Sequence, residues 1–209
     1  LEATYRFLVD PMPPAAFVPE GPGAPAPPRG LDERILEQRA EFLRPQSAVL
    51  VVVVSHRDDC SVRGGDDAYL VQQRNVDGTP FRMPRASSAC VDPEDSCCRP
   101  CTAPTPAGCA PDPVCADRPF LEPDEDPLAL RCFEQKRRFG ADFTYPIQRY
   151  VDGLRERTIA DRNGSLVENP LLADGRPPER VLFAALTGVP WQNVALRPTD
   201  PAAGLTPAT

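Results

Sequence analysis

Residues 48–54 constrain the fold of this chain more than any other segment, because all seven are apolar. A strand with one solvated face would alternate polar and apolar residues. An unbroken Val-rich run is instead typical of a central strand in a parallel sheet, covered on both faces by helices. The run leads into a polar turn, residues 55–61, which contains two aspartates. Ligands of such sheets bind beyond the carboxyl ends of the strands, so this turn is the predicted binding edge.

The segments around this strand predict an α/β fold. A helix tail, a Pro- and Gly-rich loop and an amphipathic helix precede it, and a long insertion, two helices, a tight turn and a second buried strand follow. The predicted ranges are 1–9, 10–30 and 31–43 before the strand, then 62–127, 128–139 (ended by Gly140), 145–158, the turn at Asn163-Gly164, and 181–189. Open sheets usually have about four to six strands, so two strands predict an incomplete sheet. The missing strands are expected either in an N-terminal part that precedes these residues or in a partner.

The cysteines predict a disulfide framework in the insertion. They are Cys60, Cys90, Cys97, Cys98, Cys101, Cys109, Cys115 and Cys132. An even number in a Pro-rich segment that cannot form its own core favours disulfides and an exported, oxidising location. Zinc is the alternative, but the insertion has no histidine and the adjacent Cys97-Cys98 pair interrupts the usual ligand spacing. The disulfide connectivity stays open.

Composition argues against several classes of partner. The 209 residues carry a net charge of −7, and no basic run stands out, which argues against nucleic acid and anionic membrane surfaces. No apolar stretch is long enough for a membrane-spanning helix. The acidic run at residues 122–126 lacks the spacing of a calcium loop and is interpreted as a solvated linker.

The strand-end turn offers two kinds of chemistry. Asp58 and Asp59, with the hydroxyls of Ser55 and Ser61, could contribute ligands to Mg²⁺ or Ca²⁺, or simply cap the turn. The single histidine, His56, could act with Asp58 or Asp59 in a hydrolase, although adjacent Ser55 and His56 point to opposite faces of a strand.

An ordered set of segments across most of residues 1–194 resembles the von Willebrand factor A-type (VWA-like) domains of secreted or lipid-anchored bacterial proteins, of the myxobacterial kind. The segments are Phe42-Leu43-Arg44-Pro45, Asp58-Asp59-Cys60-Ser61, residues 131–140, Tyr145-Pro146 with Arg149-Tyr150-Val151, and Gly188-Val189-Pro190-Trp191-Gln192.

The resemblance implies a Rossmann-like sheet with a metal-ion-dependent adhesion site at the strand ends. The D-x-S-x-S motif of that family does not occur in this chain. Ser55 matches the start of the family's later metal-binding segment, but His56 stands where its metal-ligating aspartate is expected. Since imidazole is a poor ligand for Mg²⁺ and Arg57 adds positive charge, the adhesion site is predicted to be degenerate.

The sequence therefore predicts a non-catalytic, exported domain for protein or surface adhesion. The predicted domain covers residues 1–194, with the C-terminal part of a VWA-like fold, a disulfide-stapled insertion at 62–127 and a flexible tail at 195–209. Its binding edge is formed by His56, Arg57 and Ser61, and its metal ligands, if any, by Ser55, Asp58 and Asp59. A secreted hydrolase and a zinc-binding module on the cysteine loop are the alternatives.

Overall fold

The structure is a computed structural model that describes residues 1–21, 25–55, 59–65, 70–71, 74, 77–79, 81–188, 196 and 204. Several predictions lie outside these residues. They concern His56, Arg57 and Asp58, and most of the tail.

The described chain contains both helices and strands, including a small parallel sheet, so the fold is mixed α/β. The helices are α1 (Glu2–Leu8), α2 (Glu33–Phe42), α3 (Pro113–Asp117), α4 (Gln135–Phe139) and α5 (Ile147–Arg155). The strands are β1 (Ala16–Phe17), β2 (Pro28–Arg29), β3 (Val49–Ser55), β4 (Thr158–Ala160), β5 (Leu166–Glu168) and β6 (Val181–Thr187). Pairs β1–β2 and β4–β5 are antiparallel, whereas β3 and β6 form a parallel pair.

The Val-rich run forms β3, and the second predicted strand forms β6. They pair in parallel register from Val49 with Val181 to Ser55 with Thr187. Both strands and their parallel pairing agree with the sequence prediction. A Rossmann-like sheet does not follow, because each strand has only the other as a partner within the described residues.

Only one face of this sheet is covered in the described part of the chain. Val49 and Val51 of β3 are buried against α1 and α5, in a core completed by the side chains of Tyr5, Leu8, Val9, Tyr150, Ile159, Leu171 and Leu172. On the other face Val54 of β3 is 75% exposed and Leu186 of β6 is 67% exposed. The predictions that helices cover both faces and that β6 is buried are therefore wrong for the described residues.

Helix α2 also departs from the expected packing. It begins at its N-cap Asp32, whose carboxylate accepts a hydrogen bond from the Ile35 N–H at 3.1 Å. Its buried side chain is Arg39 rather than one of the apolar residues, and Phe42 is 55% exposed. Arg39 donates to the carbonyls of Arg6, Phe7 and Asp10, where the unpaired carbonyls of the C-terminal end of α1 need donors.

The Asn163-Gly164 turn joins β4 to β5, as predicted. The carboxylate of Asp161 accepts hydrogen bonds from the backbone N–H groups of Asn163 and Ser165, at 2.8 and 2.9 Å. Gly164 has a positive φ of 82°, which the tight turn requires.

A second core lies in and beside the insertion. Its buried side chains are Val71, Met83, Leu121, Phe139 and Phe143. The helix predicted for residues 128–139 is reduced to α4 and a short 3₁₀ turn (Leu128–Leu130). Between them Glu134 takes a left-handed conformation, which interrupts the helix, and Gly140 ends α4 as predicted.

Asp126 shows that the acidic run is not simply a solvated linker. Its carboxylate is buried and forms an ion pair with Arg131 at 2.7 Å. Arg131 also donates to the backbone carbonyls of Val71 and Phe81. The buried pair therefore ties the run to the second core. An isolated run of acids gives no indication of such a partner.

The eight cysteines form four pairs at disulfide distance, as predicted. The pairs are Cys60–Cys132, Cys90–Cys98, Cys97–Cys109 and Cys101–Cys115. Three of them lie within the insertion, and the fourth joins the end of the strand turn to the segment before α4. Every thiol that the zinc alternative needs is thus used in a disulfide. A framework of this kind is typical of proteins from oxidising compartments.

Candidate functional site

The described part of the strand-end turn is attached to the start of α1. The Asp59 carboxylate accepts hydrogen bonds from the amino group of Leu1 at 2.8 Å and from the Ser61 hydroxyl at 2.9 Å. The Ser61 hydroxyl oxygen in turn accepts one from the Glu2 N–H at 2.9 Å. These contacts give the turn a defined position above the N-terminal end of α1, where negative charge is favourable.

The described side chains of this turn are hydrogen-bonded to the start of α1. One carboxylate oxygen of Asp59 and the hydroxyl oxygen of Ser61 accept from its backbone nitrogens. No group of three or more histidine, cysteine, aspartate or glutamate side chains suited to a metal occurs among the residues the structure describes. Ser55 lies at the end of β3 opposite Thr187, and the remaining predicted ligand, Asp58, lies outside the described residues. The prediction of Mg²⁺ or Ca²⁺ thus gains no support.

Directly behind the turn lies a charged and aromatic cluster that sequence reasoning did not identify as a site. The Arg149 guanidinium of α5 donates two hydrogen bonds to the Glu2 carboxylate, at 3.2 and 3.0 Å. It also stacks over the ring of Tyr5 at 3.8 Å and over the ring of Tyr145 at 4.4 Å. The Tyr150 hydroxyl donates to Glu2 at 3.3 Å. Arg149 thus combines a bidentate ion pair with two cation–π contacts.

Burial in this cluster shifts the pKa values of its tyrosines upwards. Loss of solvent is the main cause of the raised pKa of Tyr5, Tyr145 and Tyr150, and the negative charge of Glu2 adds to it. Burial alone would lower the pKa of Arg149, but the hydrogen bonds and charge of Glu2 raise it. All three hydroxyls and the guanidinium therefore keep their protons throughout the physiological pH range.

The cluster forms one wall of a cavity of about 140 Å³. The opposite walls come from the loop after α1, from Phe17 of β1 and from the end of β4. Two further arginines, Arg6 and Arg162, line the cavity, and the Nε atom of each is buried without a hydrogen-bond acceptor among the described residues. Only the Tyr145-Pro146 and Arg149-Tyr150 segments drew attention in the sequence, and neither indicated a cavity. Its residues come from five separate parts of the chain, and no spacing pattern connects them.

No protein-family model, curated protein or solved structure matches this chain. None of the helices in the described ranges is long and apolar enough to cross a membrane.

Proposed function

We propose that this chain is an exported, non-catalytic protein-binding domain of the VWA-like kind, which contacts its partner through the outer face of the β3–β6 pair. The observation that carries the proposal is the composition of this face. Its six side chains are all apolar and all exposed: Leu50, Val52, Val54, Leu182, Ala184 and Leu186. The solvent-exposed face of a sheet normally carries mainly polar side chains. A continuous apolar face therefore indicates an interaction surface.

The occupant that fits this face is a polypeptide rather than a lipid surface. In the described chain, β3 and β6 pair only with each other, so each strand leaves one edge of backbone N–H and C=O groups without a strand partner. An added strand pairs with such an edge, and lipid cannot do so. The net charge of −7 also opposes an anionic membrane.

The VWA-like part of the proposal rests on the ordered segments quoted above and is supported by the parallel pairing of β3 and β6. The exported part is supported by the four cysteine pairs. The geometry at Asp59 and Ser61 favours binding without a metal at this turn, because both side chains are hydrogen-bonded to the start of α1.

Site-specific photo-crosslinking in cells that export the protein tests this function. A photoreactive amino acid at position 52, on the outer face, is expected to give a crosslink to another polypeptide. The same group at Glu41, an exposed position on α2, is the matched control and is expected to give none. A Leu186→Lys change should abolish the crosslink, since a buried lysine without a partner is unfavourable.

Three results would contradict the proposal. Equal crosslinking from positions 52 and 41 would indicate random collisions. Crosslinks to lipid alone would exclude a polypeptide partner, and a product of twice the chain's mass would identify a second copy of this chain instead. Circular dichroism of Leu186→Lys must match that of the unmodified protein for the comparison to count.

A further inference from the structure

We infer that the cavity between α1, the loop after it and β4 is a binding site for a small organic carboxylate. The inference is independent of the proposed protein-binding function, because none of the six outer-face residues of β3 and β6 lines this cavity.

Two arginines of the cavity lack an acidic partner in the described chain. Arg6 donates to the carbonyl of Pro14 at 2.7 Å, and Arg162 donates to the carbonyls of Gly30 and Met12. Neither forms an ion pair with a described residue, whereas Arg149 is paired with Glu2. A guanidinium has five N–H donors, so the terminal nitrogens of both arginines retain donors beyond these bonds.

None of the acids that line the cavity forms an ion pair with Arg6 or Arg162 among the described residues. Glu2 accepts both hydrogen bonds from Arg149. Asp161 accepts from the backbone of the β4–β5 turn, and one oxygen of Asp10 accepts from the Met12 N–H at 2.9 Å. The three lining acids balance the three lining arginines in formal charge, but Arg6 and Arg162 have no carboxylate partner among the described residues and can donate to one anionic group of a ligand. The same acids disfavour a dianion.

Part of the cavity wall is apolar. It includes Phe17, over which the Arg6 guanidinium lies at 5.6 Å from the ring centroid. Gly64 permits this position of the ring, because a Cβ atom at residue 64 would lie 1.8 Å from the Phe17 ring. Met12, Pro14 and Pro28 extend the apolar surface.

These features define the ligand class. A cavity of roughly 150 Å³ accommodates a benzene-sized molecule, and arginine forms strong, directional hydrogen bonds with carboxylates. The ligand that matches both is a monocarboxylate with a small apolar or aromatic body. Benzoate is the simplest probe of this class.

Calorimetric titration with three probes tests the assignment on the full chain. Benzoate is expected to bind. Benzamide, which has nearly the same shape without the charge, should bind about tenfold or more weakly, as should inorganic phosphate, which lacks the apolar body. Phosphate that binds as tightly as benzoate would overturn the assignment of a carboxylate, and benzamide that binds equally would overturn the role of charge.

Variants locate the binding. Arg6→Gln and Arg162→Gln should each weaken benzoate binding about tenfold, because each removes a charge-assisted hydrogen bond. Arg155→Gln changes the net charge equally at an exposed position of α5 outside the cavity, and it should have no effect. An equal affinity in all three variants, or no detectable binding of benzoate to the unmodified protein, would contradict the proposal.

A second pair of variants leaves the arginines intact, in case their loss disturbs the loops. Ala160→Leu places a larger side chain at the cavity wall and should block benzoate. Thr158→Leu, also exposed and on the same face of β4, does not line the cavity and should bind benzoate normally. Undiminished binding to Ala160→Leu would place benzoate elsewhere and overturn the proposal.

Discussion

Individual arginines connect distant segments of this protein through backbone carbonyls. Arg39 binds the end of α1, and Arg131 binds carbonyls in the insertion. Arg176 does the same for the segment after α2, where it donates to Ser47 at 3.0 Å and to Arg44 at 2.8 Å. A guanidinium suits this role because its donors spread in a plane and can reach several carbonyls at once.

Arg131 is expected to be the most costly of these to remove, because its partner Asp126 is buried too. The Arg131→Met variant should lower the free energy of unfolding by about 3–5 kcal/mol, because it leaves the buried carboxylate of Asp126 without its closest ion-pair partner. Arg82→Met is the matched control. Arg82 pairs with Glu122 at the surface, and about 0–1 kcal/mol is expected for such a pair. Urea unfolding measures both values, and equal losses would contradict the difference in burial.

Gly140 and Gly164 allow a comparison of two glycines with similar backbone conformations. Both have positive φ, 77° and 82°. A Cβ atom at Gly140 would lie 2.1 Å from the backbone carbonyl carbon of Arg99, whereas nothing lies within 4 Å of one at Gly164. We expect Gly164→Ala to cost about 1 kcal/mol of stability from backbone strain, and Gly140→Ala to cost about 3 kcal/mol, because it also displaces the chain at Arg99. Similar midpoints of thermal unfolding for the two variants would show that the contact at Arg99 is unimportant.

At the scale of elements, local sequence signals predicted strands, turns and helix ends, but not the distant partners that bury their side chains. The Val-rich run, the Asn163-Gly164 turn and the glycine after α4 each encode their structure within a few residues. The burial of Arg39 and Asp126 depends on partners that are distant in sequence, and charged residues are normally expected at the surface. The helix expected at 128–139 is divided at Arg131 and Cys132, which bond to Asp126 and Cys60. These tertiary contacts outweigh helix propensity, which is a weak preference.

The Cys60–Cys132 pair is expected to contribute most among the disulfides, because it closes the longest loop. Its sequence separation is 72, compared with 8 for Cys90–Cys98. On the loop-entropy model, replacing both cysteines by serine should cost about 4 kcal/mol for the long loop and about 2–3 kcal/mol for the short one. Thermal unfolding of the two double variants measures this difference, and a larger loss for Cys90–Cys98 would mean that local packing decides instead.

At the scale of the whole molecule, the predicted and observed sheets differ in how many of their faces are covered by helices. The prediction that helices lie on both faces followed from the apolar composition of β3, and the described chain supplies helices for one face only. Composition reports which side chains need burial, and it does not report which element provides the burial. The predicted strand-end site has the same limitation. The turn at Asp59 and Ser61 is present, but its side chains hydrogen-bond to the start of α1. That contact depends on how distant segments of the chain pack together.

The tyrosines offer a test of the packed core at high pH. The chain has four tyrosines, and burial raises the pKa of three of them, Tyr5, Tyr145 and Tyr150. A raised folded-state pKa contributes stability that is fully present below the unfolded value of about 10 and is lost as the pH rises through the folded value. Ultraviolet titration of the native protein should therefore show three tyrosines that ionise later than they do in denaturant, with loss of stability above about pH 10. Tyr150→Phe should remove one late-titrating group and reduce this alkaline loss of stability.

If all four tyrosines ionise near their ordinary pKa while the circular dichroism spectrum stays native, then α1 and α5 do not bury these rings in solution. The cavity beside them would then lack its aromatic wall.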